Sequence, residues 1–273
     1  MKRILFGLFF LGLIVQVKAQ GDLLVTPTRV IFEGNKQRQE LSVVNTGTEP
    51  ATYSISFVNK NMKEDGSFVD LKDPVQGQKI AEPYLRIFPR QVTLGPQESQ
   101  VISLQFRRKA DMEEGEYRSH LYFRSEKDYT ARGQSKTERD STLLRVQLIP
   151  IFGMSIPVII RTGEVTTQAH FSDLKIVTDE DKNQILKLVL NRSGNYSVYG
   201  DIKVEFVPER GKAFEIGAVN GVGVYTNINK RYITIKLDKL NSKTLPKGKI
   251  IARYLSNKES KPELYTEAEI ILN

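Results

Sequence analysis

An all-β chain folded as two sandwiches is predicted by three observations. Apolar and polar residues alternate through most of the sequence, clusters of Gly, Pro, Asn and Asp interrupt that alternation every ~8–12 residues, and helical periodicity is weak throughout. About seven short strands fall in each half, which suits two β-sandwiches better than one barrel. No repeat of fixed period is visible.

The first nineteen residues, MKRILFGLFFLGLIVQVKA, combine a basic start at Lys2 and Arg3, an apolar run from Ile4 to Val15, and small or aliphatic residues at Val17 and Ala19. That pattern predicts a cleavable secretory signal peptide over residues 1–19. Its removal from 273 residues leaves 254, enough for two ordinary domains. No later stretch approaches the ~18 apolar residues of a membrane span. The chain has no cysteine, which excludes disulfides, thiol chemistry and lipid attachment to a cysteine. Taking Lys2, Arg3 and Lys18 from the formal charge of +8 leaves +5, too mild and too dispersed to imply nucleic acid.

In the mature N-terminal region, PTRVIFEG (Pro27 to Gly34) places a guanidinium within an apolar strand pattern. With a period of two, Leu23, Val25, Arg29 and Ile31 share one face and Val30 and Phe32 the other. A charge on a mainly apolar face is costly unless it is paired or opens into a cleft, so Arg29 is expected to meet an anion. Tyr53, Ile55 and Phe57 alternate after the turn-like NTGTEP. Val92 and Leu94 lead through GPQES to Ile102, Leu104 and Phe106. In EGEYRSHLYFR, Tyr117, Leu121 and Phe123 occupy one face and Arg118, His120, Tyr122 and Arg124 the other. Residues 125–142 are rich in charge, Gly, Ser and Thr and read as a long loop, after which Leu144, Val146 and Leu148 line one face of LLRVQLIPIF.

The run IPVIIRTG places the domain boundary, with an N-terminal domain over 20–158 and a C-terminal one over 159–273. Beyond it, strand alternation recurs at Leu186, Leu188 and Leu190, at Ile202, Val204 and Phe206, and at Ile233, Ile235 and Leu237. It returns at Ile250, Ala252 and Tyr254 and at Ala268, Ile270 and Leu272.

Catalytic inventory is poor. Two histidines, His120 and His170, cannot assemble a common metal site without cysteine, so no metal and no cofactor is expected. His120 reads as a plain surface or hydrogen-bonded residue. No nucleophile elbow of the form G-x-S-x-G occurs. The acidic TDEDKN lacks calcium-loop spacing and reads as a solvated turn, and GVGVYTN reads as a turn rather than a phosphate cradle. An enzyme acting on a small-molecule substrate is therefore not expected.

Taken in order, PTRVIFEG, FPRQVTLGPQESQVISLQFR, GEYRSHLYFR, LLRVQLIPIF with IPVIIR, and NRSGNYSVYGDIKVEF resemble periplasmic pilus chaperones of the chaperone-usher pathway, the last of these resembling the archaic-type branch. The match spans essentially the whole mature sequence. It implies two immunoglobulin-like domains in an L or boomerang with a cleft between them, a periplasmic location, and two partners: a pilus or fimbrial subunit and an outer-membrane usher. It also implies that Arg29 anchors the subunit's terminal carboxylate and that Leu144, Val146 and Leu148 form the strand donated to the subunit. A second copy of the chain is a candidate partner when no subunit is bound.

One departure matters. Well-studied members carry a lysine near the end of the donor strand, whereas residues 149–160 here contain none. Arg118 and Arg124 are candidates for that second basic contact. The alternative reading is an exported adhesin or structural protein of tandem immunoglobulin-like domains, which accounts for the strands but not for Arg29 together with an apolar strand after a long loop.

Overall fold

The computed structural model describes residues 23–71, 78–126, 152–238, 247–257 and 261–272. Residues 1–19, expected to be a signal segment, and Leu144, Val146 and Leu148, expected to form a donated strand, lie outside the described residues. Two separate hydrophobic clusters form, one built from residues 23–160 and one from residues 186–254, so each half has its own core.

In the first unit, β1 (Leu23–Thr26), β3 (Arg38–Asn45), β8 (Ser99–Phe106) and β6 (Leu85–Phe88) make one sheet in the order β1-β3-β8-β6. The facing sheet runs β2 (Val30–Phe32), β10 (Gly153–Thr162), β9 (Gly115–Glu126), β4 (Ala51–Met62) and β5 (Phe68–Leu71), with β7 (Gln91–Leu94) also pairing β4. Lettering the main strands A to G gives sheets ABED and GFC, the constant-type immunoglobulin order. Leu41, Val43, Ile102 and Leu104 from one sheet meet Ile55, Leu121, Phe123 and Val158 from the other, all of them buried.

The second unit is again a sandwich of two sheets, but its fourth strand joins the sheet of the third, sixth and seventh instead of that of the first, second and fifth. One sheet runs β11 (Gln168–Thr178), β12 (Gln184–Ser193) and β15 (Lys230–Lys236). The other runs β14 (Phe214–Val224), β13 (Val198–Pro208), β16 (Gly248–Ser256) and β17 (Leu264–Leu272). The triplets from Leu186, Ile202, Ile233 and Ile250 all point into this core. Ala268, Ile270 and Leu272 keep the expected alternation but are only half-buried, because β17 is an edge strand.

Two features depart from the expected pattern. The chain changes sheets between Thr26 and Val30: β1 pairs antiparallel with β3, whereas β2 pairs parallel with β10. Pro27 has no N–H to continue the first ladder. Parity is broken there, so Leu23 and Val25 face the core with Val30 and Phe32, while Arg29 and Ile31 face outward. Secondly, Gly221–Val224 of GVGVYTN close β14 instead of making a turn, and the turn follows at Thr226 and Asn227. The strand β10 runs on through Thr162, paired with Gly115 of β9, before the second unit begins at β11.

Candidate functional site: the cleft between the sandwiches

The outward face of an antiparallel sheet is ordinarily solvated. On β9 it is covered. Glu116, Arg118 and His120 are each no more than 7% exposed, because the second sandwich sits over them. Arg118 Nη2 donates to Glu116 Oε1 at 2.6 Å and Arg161 Nε to Glu116 Oε2 at 3.1 Å. From the turn between β12 and β13, Ser197 donates its backbone N–H (3.0 Å) and its hydroxyl (2.7 Å) to Glu116 Oε2. The same hydroxyl accepts from Arg118 Nη2 at 2.7 Å, and the Ser197 carbonyl accepts from Arg161 Nη2 at 3.1 Å. Burial alone would raise the Glu116 carboxyl, but Arg118, Arg161 and the Ser197 hydrogen bond outweigh it and hold it at about 2.

Beside this network lies a cavity of about 280 Å³ lined by both units. Its walls include Arg29, Phe68 and Pro157 from the first and Tyr199, Tyr225 and Arg231 from the second. The guanidinium carbon of Arg29 stands 3.6 Å from the centroid of the Tyr199 ring, and that of Arg118 stands 3.6 Å from the centroid of Tyr225. Burial, then the charge of Arg118, lowers the pKa of Arg29. Among the described residues no carboxylate pairs with Arg29, and its buried Nε has no partner; Nε and Nη1 of Arg118 are also unpartnered.

The hairpin joining β4 and β5 closes one side. Its tip is a turn in which Gly66 N–H donates to the Lys63 carbonyl at 2.8 Å and Asp65 accepts from Ser67 N–H at 2.8 Å. It reaches the second unit through Tyr232 N–H to the Glu64 carbonyl and Asn227 Nδ2 to the Met62 carbonyl, both 2.8 Å.

Of the two readings the sequence left for His120, surface or hydrogen-bonded, the structure gives the second. His120 is 4% exposed between Phe68 and Tyr225, with Tyr225 Oη 3.5 Å from its Nε2 and its Nδ1 unpartnered. Burial first, then Arg118, Lys60 and Arg29, push its pKa down to about 3. Of the basic residues singled out in the sequence, Arg29 and Arg118 come together here. Arg124 is exposed further along β9, opposite Gly153, and does not line the cavity.

Tyr199, Tyr225 and Arg231 went unnoticed in the sequence. For Arg231 a signal existed: in KRYITIK it shares the face of the buried Ile233 and Ile235, an arginine on a core-facing parity at a strand end. Among the described residues no group of three His, Cys, Asp or Glu could hold a metal, and no helix is long and apolar enough to cross a membrane.

No protein-family model and no curated protein matches the chain. Among solved structures it is similar to the YadV chaperone, at 12% identity over 92% of this chain and 100% of that one, with a TM-score of 0.46. It is also similar to the Pseudomonas aeruginosa CupB2 chaperone, at 12% identity over 92% and 100%, with a TM-score of 0.45. A third is the CsuC–CsuE chaperone and tip adhesion subunit pre-assembly complex from the archaic chaperone-usher Csu pili of Acinetobacter baumannii, at 14% identity over 92% and 98%, with a TM-score of 0.44. The two immunoglobulin-like sandwiches stand on strand order and register in the chain itself.

Proposed function

We propose that the protein is a periplasmic chaperone that binds pilus or fimbrial subunits by donating a β-strand and delivers them to an outer-membrane usher. The observation that carries this reading is Arg29, a part-buried guanidinium with no carboxylate partner among the described residues, held against Tyr199 at the mouth of a cleft. A chain-terminal carboxylate fits it, since the planar fork of donors takes a carboxylate bidentately. The alternation of Leu144, Val146 and Leu148 supplies the donated strand, and the resemblance in motif order supplies the partner class. An incomplete sandwich exposes an apolar groove and unpaired backbone groups, both of which a strand given in trans covers. Three aliphatic side chains buried at ~1.5–3 kcal/mol each contribute several kcal/mol without a nucleotide. Residues 1–19 are removed on export, and mass spectrometry of the mature protein checks that cleavage.

The test is a pull-down from the periplasm of the native host with wild type and with Val146→Glu. Wild type recovers a small partner whose sandwich lacks a strand; the variant, folded by circular dichroism, loses it because a charge in the groove has no partner. Recovery of the same partner by folded Val146→Glu overturns strand donation.

A further inference from the structure

We propose that Arg231, supplied by the second sandwich, is the second cation of the carboxylate site whose first cation is Arg29, so that a bound carboxylate is gripped from both sides of the cleft. The inference rests on the chaperone reading above for the source of the carboxylate.

Three observations carry it. Both guanidinium groups line the same cavity. Arg231 commits Nη1 to the Gly223 carbonyl at 2.8 Å, which fixes the plane of the fork, while its buried Nε has no partner among the described residues, as at Arg29. Other arginines around the interface are paired: Arg118 and Arg161 share Glu116, whereas the one carboxylate that acts on Arg231, after Tyr254 and Tyr225, is Asp65, and it accepts from the N–H and hydroxyl of Ser67. Two desolvated guanidinium groups bordering one cavity without an anion are costly, and a carboxylate between them offsets that cost.

The backbone packs tightly beside Arg231. Gly66, at φ +85°, lies so close to the guanidinium that a Cβ there would strike Nη2, and Gly221 and Gly223 line the cavity next to Tyr199 without adding side chains to it. The volume is at the lower edge of the range for small-molecule sites, which suits a chain end rather than a drug-sized ligand. Burial lowers the pKa of Arg231, as it does that of Arg29, in line with a site that gains from an incoming negative charge.

The experiment titrates the full mature protein with N-acetyl-tyrosine as free acid, with its amide, and with inorganic phosphate, following the arginine Nε–Hε resonances by NMR. The free acid is expected to shift both Arg29 and Arg231 and the amide neither. Arg231→Gln is expected to raise the dissociation constant for the acid about tenfold, and Arg231→Lys by less, since an ammonium keeps the charge and loses the fork. Melting curves of both variants check that they are folded. A shift at Arg29 with none at Arg231, or unchanged affinity in both folded variants, overturns the two-sided grip and leaves strand donation standing. Shifts with phosphate alone overturn the carboxylate assignment. Loss of strand donation is read separately, in the Val146→Glu pull-down.

Discussion

The hydroxyl of Ser197 donates to the carboxylate of Glu116 at 2.7 Å across the junction of the two sandwiches. That single oxygen of Glu116 also receives the Ser197 N–H and Arg161 Nε, while its other oxygen receives Arg118 Nη2. The junction therefore holds a largely buried ion cluster centred on one acid.

Replacing that acid is expected to be severe. Glu116→Gln leaves the buried Arg118 guanidinium without a counter-charge and Arg161 with only its longer contact to Glu33 at 3.8 Å, and should cost about 3–5 kcal/mol. The same acid sets an acid limb. Its folded pKa of about 2 lies below the ordinary value of 4.5, so its stabilisation is fully present above pH 4.5 and is lost as pH falls towards 2. The depression corresponds to a loss on the order of 3 kcal/mol. Thermal melts of wild type and Glu116→Gln between pH 2 and 7 check both statements; equal acid limbs would assign the sensitivity elsewhere.

His120 titrates in a different window. Its pKa is pushed down to about 3 by burial and by Arg118, Lys60 and Arg29, against an ordinary 6.5. The folded protein holds it neutral while the unfolded chain takes up a proton, so stability is full above pH 6.5 and erodes as pH falls towards 3. Between pH 6.5 and 4.5 Glu116 contributes little slope and His120 dominates this pair. His120→Gln should flatten the melting temperature across that interval, and an unchanged slope would show that the imidazole does not control it.

Much of this architecture was legible in period-two alternation. Tyr53, Ile55, Ile102, Leu104, Leu186 and Leu188 are buried as their spacing requires, and an arginine out of keeping with its neighbours drew attention to position 29. Alternation names the faces of a strand but not what covers them. For that reason Glu116, Arg118 and His120 look like a solvated face until the second sandwich is laid over β9. The same limit hid the docking of the Lys63–Ser67 turn, whose KEDGS sequence specifies its local bend but not the Tyr232 N–H it meets. At Pro27 the parity itself fails, because the chain changes sheets, and so Arg29 lies opposite the core rather than within an apolar face. In GVGVYTN, glycines suggested a turn, whereas backbone pairing with β13 keeps them in a strand.

Arg192 supports the cleft without lining it. It continues the inward face of Leu186, Leu188 and Leu190, yet its guanidinium is satisfied by carbonyls of two loops: Gly194 (2.7 Å) and Tyr196 (3.1 Å) on one, Thr226 (3.4 Å) and Ile228 (3.3 Å) on the other. Those loops carry or adjoin Ser197 and Tyr225. Arg192→Met should cost about 2–4 kcal/mol, because the carbonyls lose their donors in a buried site. Hydrogen exchange should rise at residues 194–197 and 226–229 together. Faster exchange in one loop alone would contradict a shared strut.

Arg29 and Glu116 should behave oppositely when replaced in the unliganded protein. Arg29 has a stacking contact with Tyr199 worth ~0.5–2 kcal/mol, but it also bears burial and the like charge of Arg118. These terms oppose one another, so Arg29→Gln should change the protein's own stability by no more than about 1 kcal/mol, in contrast to Glu116→Gln. Binding should tell the other half. Under the anchoring role, Arg29→Ala loses on the order of 2–5 kcal/mol of subunit affinity, as for truncating one partner of a buried charge pair, and Arg29→Lys recovers only part of it. Denaturant melts and affinity measurements on the three variants separate the roles. A collapse of several kcal/mol in the free protein with affinity preserved in Arg29→Lys would make Arg29 a structural strut rather than an anchor.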